Sequence, residues 1–171
     1  MPNFLFDAIM EKLSDSADKK KCNNCNGPFW FYTTEYFCED CNNIVCYDCQ
    51  SKPRYLYKTR ICSNCNKLNW HAMSKILIVK SQHIGGHKMI KNISNIESSI
   101  ITSDYNSAID NLKYLASKLG ANGIISFQHH KSSVAQTSEN GKGTYYRSIF
   151  SSSGIAVLVE KNISTNQRNN R

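Results

Sequence analysis

Apolar residues recur at three- and four-residue spacing in two parts of this chain. Over residues 3–13, Leu5, Phe6, Ile9, Met10 and Leu13 fall on one face, and Asp7, Glu11 and Lys12 lie between them. That spacing predicts an amphipathic helix, with Asn3 as its N-cap. Over Asp104–Leu119 the stripe is Tyr105, Ala108, Ile109, Leu112, Leu115, Ala116 and Leu119. Ser103 or Asp104 can cap this second helix, and Gly120 ends it. Shorter apolar runs predict strands at Ile76–Val79, His83–Ile90 and Ser98–Thr102 before the long helix, with a turn at Asn92–Asn95. Further strands are predicted at Gly123–Gln128, Thr144–Phe150 and Ile155–Glu160, with a polar loop at Lys131–Gly143. The order βββ-α-βββ predicts an α+β fold, a mostly antiparallel sheet with one long helix packed on it.

Residues 22–65 follow another logic. All eight cysteines lie here, in four Cys-x-x-Cys pairs: Cys22/Cys25, Cys38/Cys41, Cys46/Cys49 and Cys62/Cys65. Such a turn sets two sulfurs about 3.5–4 Å apart, an edge of a tetrahedron around a zinc ion with Zn–S bonds of roughly 2.3 Å. The halves repeat at a period of 24 residues, CNNCNGPFWFYTTEYFCEDC against CYDCQSKPRYLYKTRICSNC. Each half reads as a knuckle, an aromatic hairpin and a second knuckle. A stretch this short cannot bury enough apolar surface to fold alone. Two structural zinc sites, each contributing roughly 10–16 kcal/mol of apparent binding free energy, can replace a core. In a cross-brace, Cys22, Cys25, Cys46 and Cys49 hold one ion and Cys38, Cys41, Cys62 and Cys65 the other. In a tandem arrangement each half closes its own site. The short link from Cys41 to Cys46 favours the cross-brace, whereas the repeat suits the tandem equally.

Four segments follow from these patterns: residues 1–21 as an N-terminal amphipathic helix and polar linker, 22–73 as a di-zinc finger, 74–160 as an α+β domain, and 161–171 as a disordered polar tail. The helix at residues 3–13 suits docking to a partner or a membrane surface, or packing on its own chain; its few basic residues argue against an anionic membrane. The net charge is +8 over 171 residues. Residues 1–70 hold nine basic and eight acidic side chains, and residues 71–171 hold twelve and five. Eight thiolates and two dications would bring the first part from +1 to near −3, so the finger is not a basic phosphate-binding surface. No apolar run approaches the roughly 20 residues that span a bilayer. The N-terminal residues lack the pattern of a signal peptide. A cytoplasmic location is expected, where paired cysteines hold metal rather than disulfides.

The eight-cysteine spacing resembles the FYVE-type zinc fingers within the wider RING, FYVE and PHD cross-brace group. FYVE domains carry a basic motif beside the third cysteine that binds a phosphoinositide. Here that cysteine is flanked by Tyr36-Phe37 and Glu39-Asp40, so lipid binding does not transfer with the spacing. RING ligases usually have a histidine among the ligands and this set has none, so ligase activity does not transfer either. The second half resembles the YbjQ-like domains, sometimes described as heavy-metal binders. The stretches are Ile84-Gly85-Gly86-His87-Lys88-Met89-Ile90, Ala116-Ser117-Lys118-Leu119-Gly120, Ala121-Asn122-Gly123-Ile124-Ile125 and the closing strand Gly154–Val159. That resemblance implies a homo-oligomer, such as a pentameric ring.

Chemistry beyond zinc is sparse. His83, His87, His129 and His130 could supply imidazole ligands, but no nearby carboxylate or cysteine completes a set. His71 after the last knuckle is read as a surface histidine. Gly141-Lys142-Gly143-Thr144 lacks the frame of a phosphate-binding loop, and Ser151-Ser152-Ser153-Gly154 is not a nucleophile elbow. Closed four-thiolate sites leave no position for a reacting water, and no catalytic residue is assigned. The expectation is a non-enzymatic interaction or scaffold protein. Its finger, through aromatics such as Trp30, Tyr32, Tyr55 and Tyr57, meets a protein partner while the second domain oligomerises. The alternatives are a nucleic-acid binder, using aromatics beside Arg54, Lys58 and Arg60, and a metal-handling or sensing protein.

Overall fold

A computed structural model describes residues 20–29, 34–56, 59–98, 104–137 and 143–162. The expected N-terminal helix at residues 3–13, the strand residues 99–102 and the tail from 163 lie outside these. The chain forms two compact units. One is built on residues before Lys52 together with Arg60–Asn64, and the other on Lys52–Thr59 and the residues from Cys65 onward.

The first unit holds two short hairpins. Strand β1 (Tyr36–Phe37) pairs antiparallel with β2 (Ile44–Val45), and β3 (Gln50–Ser51) pairs antiparallel with β4 (Ile61–Cys62). A short 3₁₀ turn, Tyr47–Cys49, joins them. Val45 and Ile61 are buried, as are Cys22, Cys38 and Cys62. Among the described residues of this unit, cysteines thus make up most of the buried side chains, as expected of a unit too small for an apolar core.

Helix α1 (Ser63–Ser74) runs directly out of β4. The second unit then forms a four-stranded sheet in the order β5-β7-β8-β6. Strand β5 (Leu77–Ile78) is parallel to β7 (Gly123–Thr137). Strand β8 (Thr144–Lys161) is antiparallel both to β7 and to β6 (His87–Glu97). Helix α2 (Tyr105–Lys118) covers one face. Leu112 and Ala116 pack there with Ile76, Ile96, Ala121, Ile124, Phe127 and Ala156. A smaller cluster of Ile84, Ile125, Val157 and Val159 forms apart from it.

Asp104 caps α2 by accepting the backbone N–H groups of Asn106 and Ser107, which fills orphan donors of the first turn. Gly120, at φ +74°, terminates it, since only glycine takes that conformation without strain. Two residues on, the Asn122 side chain pairs with Val159 like a strand backbone. Its Nδ2 donates to the Val159 carbonyl and its Oδ1 accepts the Val159 N–H, both at 2.8 Å.

The sheet differs from the expected six short strands. Asn92–Asn95, expected as a turn, lies inside β6, where irregularities between Met89 and Lys91 and between Asn92 and Ser94 absorb the out-of-register residues. The expected loop from Lys131 is strand as far as Thr137, paired with Thr144–Phe150, and the two strands expected after it are one. From Lys131 outward β7 and β8 pair with each other alone among the described residues, and most of these side chains are exposed. A ribbon without a buried face carries no apolar alternation, so its composition looks like a loop.

Candidate metal centre

The first knuckle of each site is built the same way. At Cys22–Cys25, the N–H of Asn26 donates to the Cys22 carbonyl at 2.7 Å, and the N–H of Cys22 to the Gly27 carbonyl at 2.9 Å. At Cys38–Cys41, Asn42 N–H reaches the Cys38 carbonyl at 2.7 Å and Cys38 N–H the Asn43 carbonyl at 2.9 Å. Asn26 and Asn42 sit at φ +57° and +56°, a left-handed conformation that asparagine tolerates better than most residues. The asparagine after each pair (Cys-x-x-Cys-Asn) was a signal available in the sequence that the spacing alone passed over. The second knuckles run into helical turns: the 3₁₀ turn that ends at Cys49, and the first turn of α1, which follows Cys62 at the end of β4 and holds Cys65.

The sulfurs gather as Cys22, Cys25, Cys46, Cys49 and as Cys38, Cys41, Cys62, Cys65, each set lying within 4.8 Å of one another. These are the cross-brace groupings, not the tandem ones. Cys25 and Cys46 sulfurs are 3.9 Å apart and those of Cys41 and Cys62 are 4.0 Å apart. The tetrahedral edge for Zn–S bonds of roughly 2.3 Å is about 3.8 Å. Backbone N–H groups already face the sulfurs. Asn24 and Cys46 donate to Cys22 Sγ at 3.4 and 3.3 Å, and Cys62 donates to Cys38 Sγ at 3.2 Å.

The electrostatics call for a cation. Burial works to raise the Cys22 thiol, but the N–H groups of Cys46, Asn24 and Cys25 bring it down to about 6. At Cys38 burial is likewise outweighed, by the N–H groups of Cys62, Cys41 and Asp40, and the thiol falls to about 7. Within the first set, burial pushes Cys46 up, with the sulfurs of Cys22 and Cys25 adding to it. At Cys49 the Asn24 side chain acts to lower the value. Burial and the sulfurs of Cys46, Cys25 and Cys22 oppose it and push the thiol up to about 12. Four sulfurs this close cannot all carry charge by themselves. A dication removes that conflict, and thiolate is the form that binds it.

Residues 12–70 match the family model of the FYVE zinc finger, about a third of the chain. No curated protein matches the chain. The two four-cysteine clusters, both within the matched residues, fit two zinc ions.

The remaining candidates are dispersed. His83 and His130 are exposed, and His87 Nδ1 lies 3.0 Å from the Gly85 carbonyl. His129 packs between Tyr105 and Phe150 with Nδ1 3.3 Å from Ser152 Oγ. Among the described residues only the two cysteine sets are groups of three or more metal-binding side chains, and His71 joins neither. Ser152 is fully buried, and Gly141-Lys142 lies outside the described residues.

The expected aromatic surface is also different. Tyr55 is fully buried rather than available to a partner. Trp30, Tyr32, Tyr57 and Lys58 lie outside the described residues. Exposed instead are Phe37 and Tyr47, with Tyr47 6.2 Å from the Tyr36 ring and the Arg60 guanidinium 4.6 Å over Tyr36. Neither Phe37 nor Tyr47 was singled out as a surface group from the sequence. Among the described residues no helix is long and apolar enough to cross a membrane.

Proposed function

We propose that this protein is a non-enzymatic scaffold. Cys22, Cys25, Cys46 and Cys49 hold one structural zinc ion, and Cys38, Cys41, Cys62 and Cys65 hold the other. The ions fix a finger surface on which Phe37 and Tyr47 meet a protein partner. The second unit, which resembles the YbjQ-like domains, assembles into a homo-oligomer and multiplies weak finger contacts into avidity. The observation that carries the reading is the exposure of Phe37 and Tyr47, each at 63%, on a finger with acidic Glu39 and Asp40 beside its third cysteine. Exposed aromatics on a zinc-fixed frame suit a protein interface, whereas the basic motif of lipid-binding FYVE fingers has no counterpart around Cys38.

Support for self-assembly comes from apolar side chains left open along the sheet and its ribbon, including Met89, Ile90, Val134, Tyr145 and Tyr146. The nucleic-acid reading loses ground because the described cationic residues it needs are engaged: Arg54 pairs with Asp110 and Arg60 lies over Tyr36. The test is native mass spectrometry of the purified full chain with metal analysis. Two zinc ions per chain in a closed oligomer support the scaffold. A monomer, or retention on DNA or RNA at low salt, removes it.

A further inference from the structure

The Arg54–Tyr55 turn belongs to the second unit, although the chain on both sides of it belongs to the first. Tyr55 is 0% exposed. Its ring lies edge-on to Trp70 of α1 at 5.4 Å and tilted against Tyr114 of α2 at 5.3 Å. Its hydroxyl donates to Asn66 Oδ1 at 2.8 Å, and its carbonyl accepts the Asn111 side-chain N–H at 2.7 Å. Arg54 Nη2 and Nε both reach Asp110 Oδ2, at 2.9 and 3.0 Å, and its guanidinium lies 5.7 Å from the Trp70 ring centre. Helix α2 therefore has two buried faces. Its apolar face meets the sheet, and its polar face, Asp110, Asn111 and Tyr114, meets this turn.

The tether of the turn is short and ends in sulfur. Lys52–Arg60 spans the gap between the paired residues Ser51 and Ile61. Cys49 stands three residues before Lys52, and Cys62 three after Thr59. These two cysteines belong to different four-sulfur sets. The β3–β4 pairing is two residues long on each strand, too little to hold a loop closed by itself. Cys65 also lies in the first turn of α1, one residue before Asn66. Both sides of the Tyr55 pocket thus run back to a metal site.

We propose that the two zinc ions act as a clamp on the Arg54–Tyr55 turn, so that the packing of α2 responds to zinc occupancy. With both ions bound, the closed loop delivers Tyr55 to α2 as an intramolecular partner. With the ions removed, the ends separate, closing the loop costs entropy again, and the polar face of α2 loses Tyr55 and Arg54. The fold then reports metal availability at a surface that holds no metal. This rests on the zinc reading above. Coupling of this kind is reciprocal: if zinc holds Tyr55 in place, Tyr55 must help hold zinc.

Two measurements on the full chain test it. Hydrogen exchange across Tyr105–Lys118 is followed as EDTA strips the metal, and zinc retention against EDTA is compared for wild type, Tyr55→Phe and Tyr55→Ala. Stripping should raise exchange across α2, and Tyr55→Ala should raise it with metal still present. Tyr55→Ala should also release zinc at an EDTA concentration on the order of tenfold lower. Tyr55→Phe, which keeps the ring and loses the hydroxyl's bond to Asn66, should shift in the same direction by less, and it decides the matter if the alanine variant does not fold. Unchanged α2 exchange after both ions have left, or wild-type zinc retention in a folded Tyr55 variant, overturns the clamp alone. A wild-type protein that carries no zinc overturns the clamp and the zinc reading together.

Discussion

Cys46 donates its backbone N–H to the sulfur of Cys22 at 3.3 Å, across 24 residues of chain. Cys62 does the same to Cys38 at 3.2 Å, also 24 residues away. The period of the sequence repeat is therefore the separation between the two knuckles of one site. Repeat-equivalent cysteines share an ion's position; they do not mark two independent modules.

That relationship sets the outcome of a double substitution. Cys22→Ser with Cys46→Ser removes two sulfurs from one set, so one zinc ion per chain should remain. A tandem finger would lose both ions, because the two residues would belong to different sites. Native mass spectrometry separates the results, a mass loss of one zinc against two. Cys22→Ser with Cys38→Ser reverses the prediction and should release both.

The N-cap of α2 is the cheapest element of the second unit to remove. Asp104→Ala deletes the acceptor for the Asn106 and Ser107 N–H groups and for the Ser107 hydroxyl. The expected loss is about 1 kcal/mol, read as a lower urea midpoint at unchanged slope. Asp104→Asn should restore most of it, since its one amide oxygen can still accept a first-turn N–H.

Gly154 stands where β8 passes under Ile124. A Cβ there would come within 2.6 Å of Ile124 Cγ2 and 3.2 Å of the Ile125 carbonyl oxygen. Gly154→Ala should cost about 1–3 kcal/mol through overpacking. Gly85→Ala, where a Cβ meets nothing within 4 Å, is the control and should leave the denaturation midpoint in place.

His129 gives the second unit a pH dependence. Burial holds its pKa below the ordinary 6.5, and the neighbouring His130 adds to the effect. A histidine kept neutral by the fold binds a proton more readily when unfolded, so stability rises with pH in that window. The contribution is fully present above 6.5 and is lost as pH falls through the depressed folded value. Among the described residues, the groups packed on His129 are the Tyr105 and Phe150 rings and the Ser152 hydroxyl, none of them a counter-charge. Thermal unfolding followed from pH 7.5 to 5 should show a falling midpoint, and His129→Gln should flatten it.

Composition and spacing determined a good deal here. Four Cys-x-x-Cys pairs point to sulfur-bound metal because two sulfurs at that separation span one edge of a zinc tetrahedron. The stripe from Ala108 to Ala116 and the glycine at 120 located α2 within a residue at each end, because helix periodicity and its stop signal are local. Pairing was not local. Cys22 could have closed with Cys38 or with Cys46, and only the folded chain, in which Cys46 places its N–H on the Cys22 sulfur, decides between them. Tyr55 is the same case: its neighbours read as a surface hairpin, yet its ring is enclosed by Trp70 and Tyr114, residues 15 and 59 positions later. Pattern reports which face of an element is apolar. It does not report which distant polar face, such as Asp110 and Asn111, awaits a partner, because that partner becomes a neighbour only once the chain has folded.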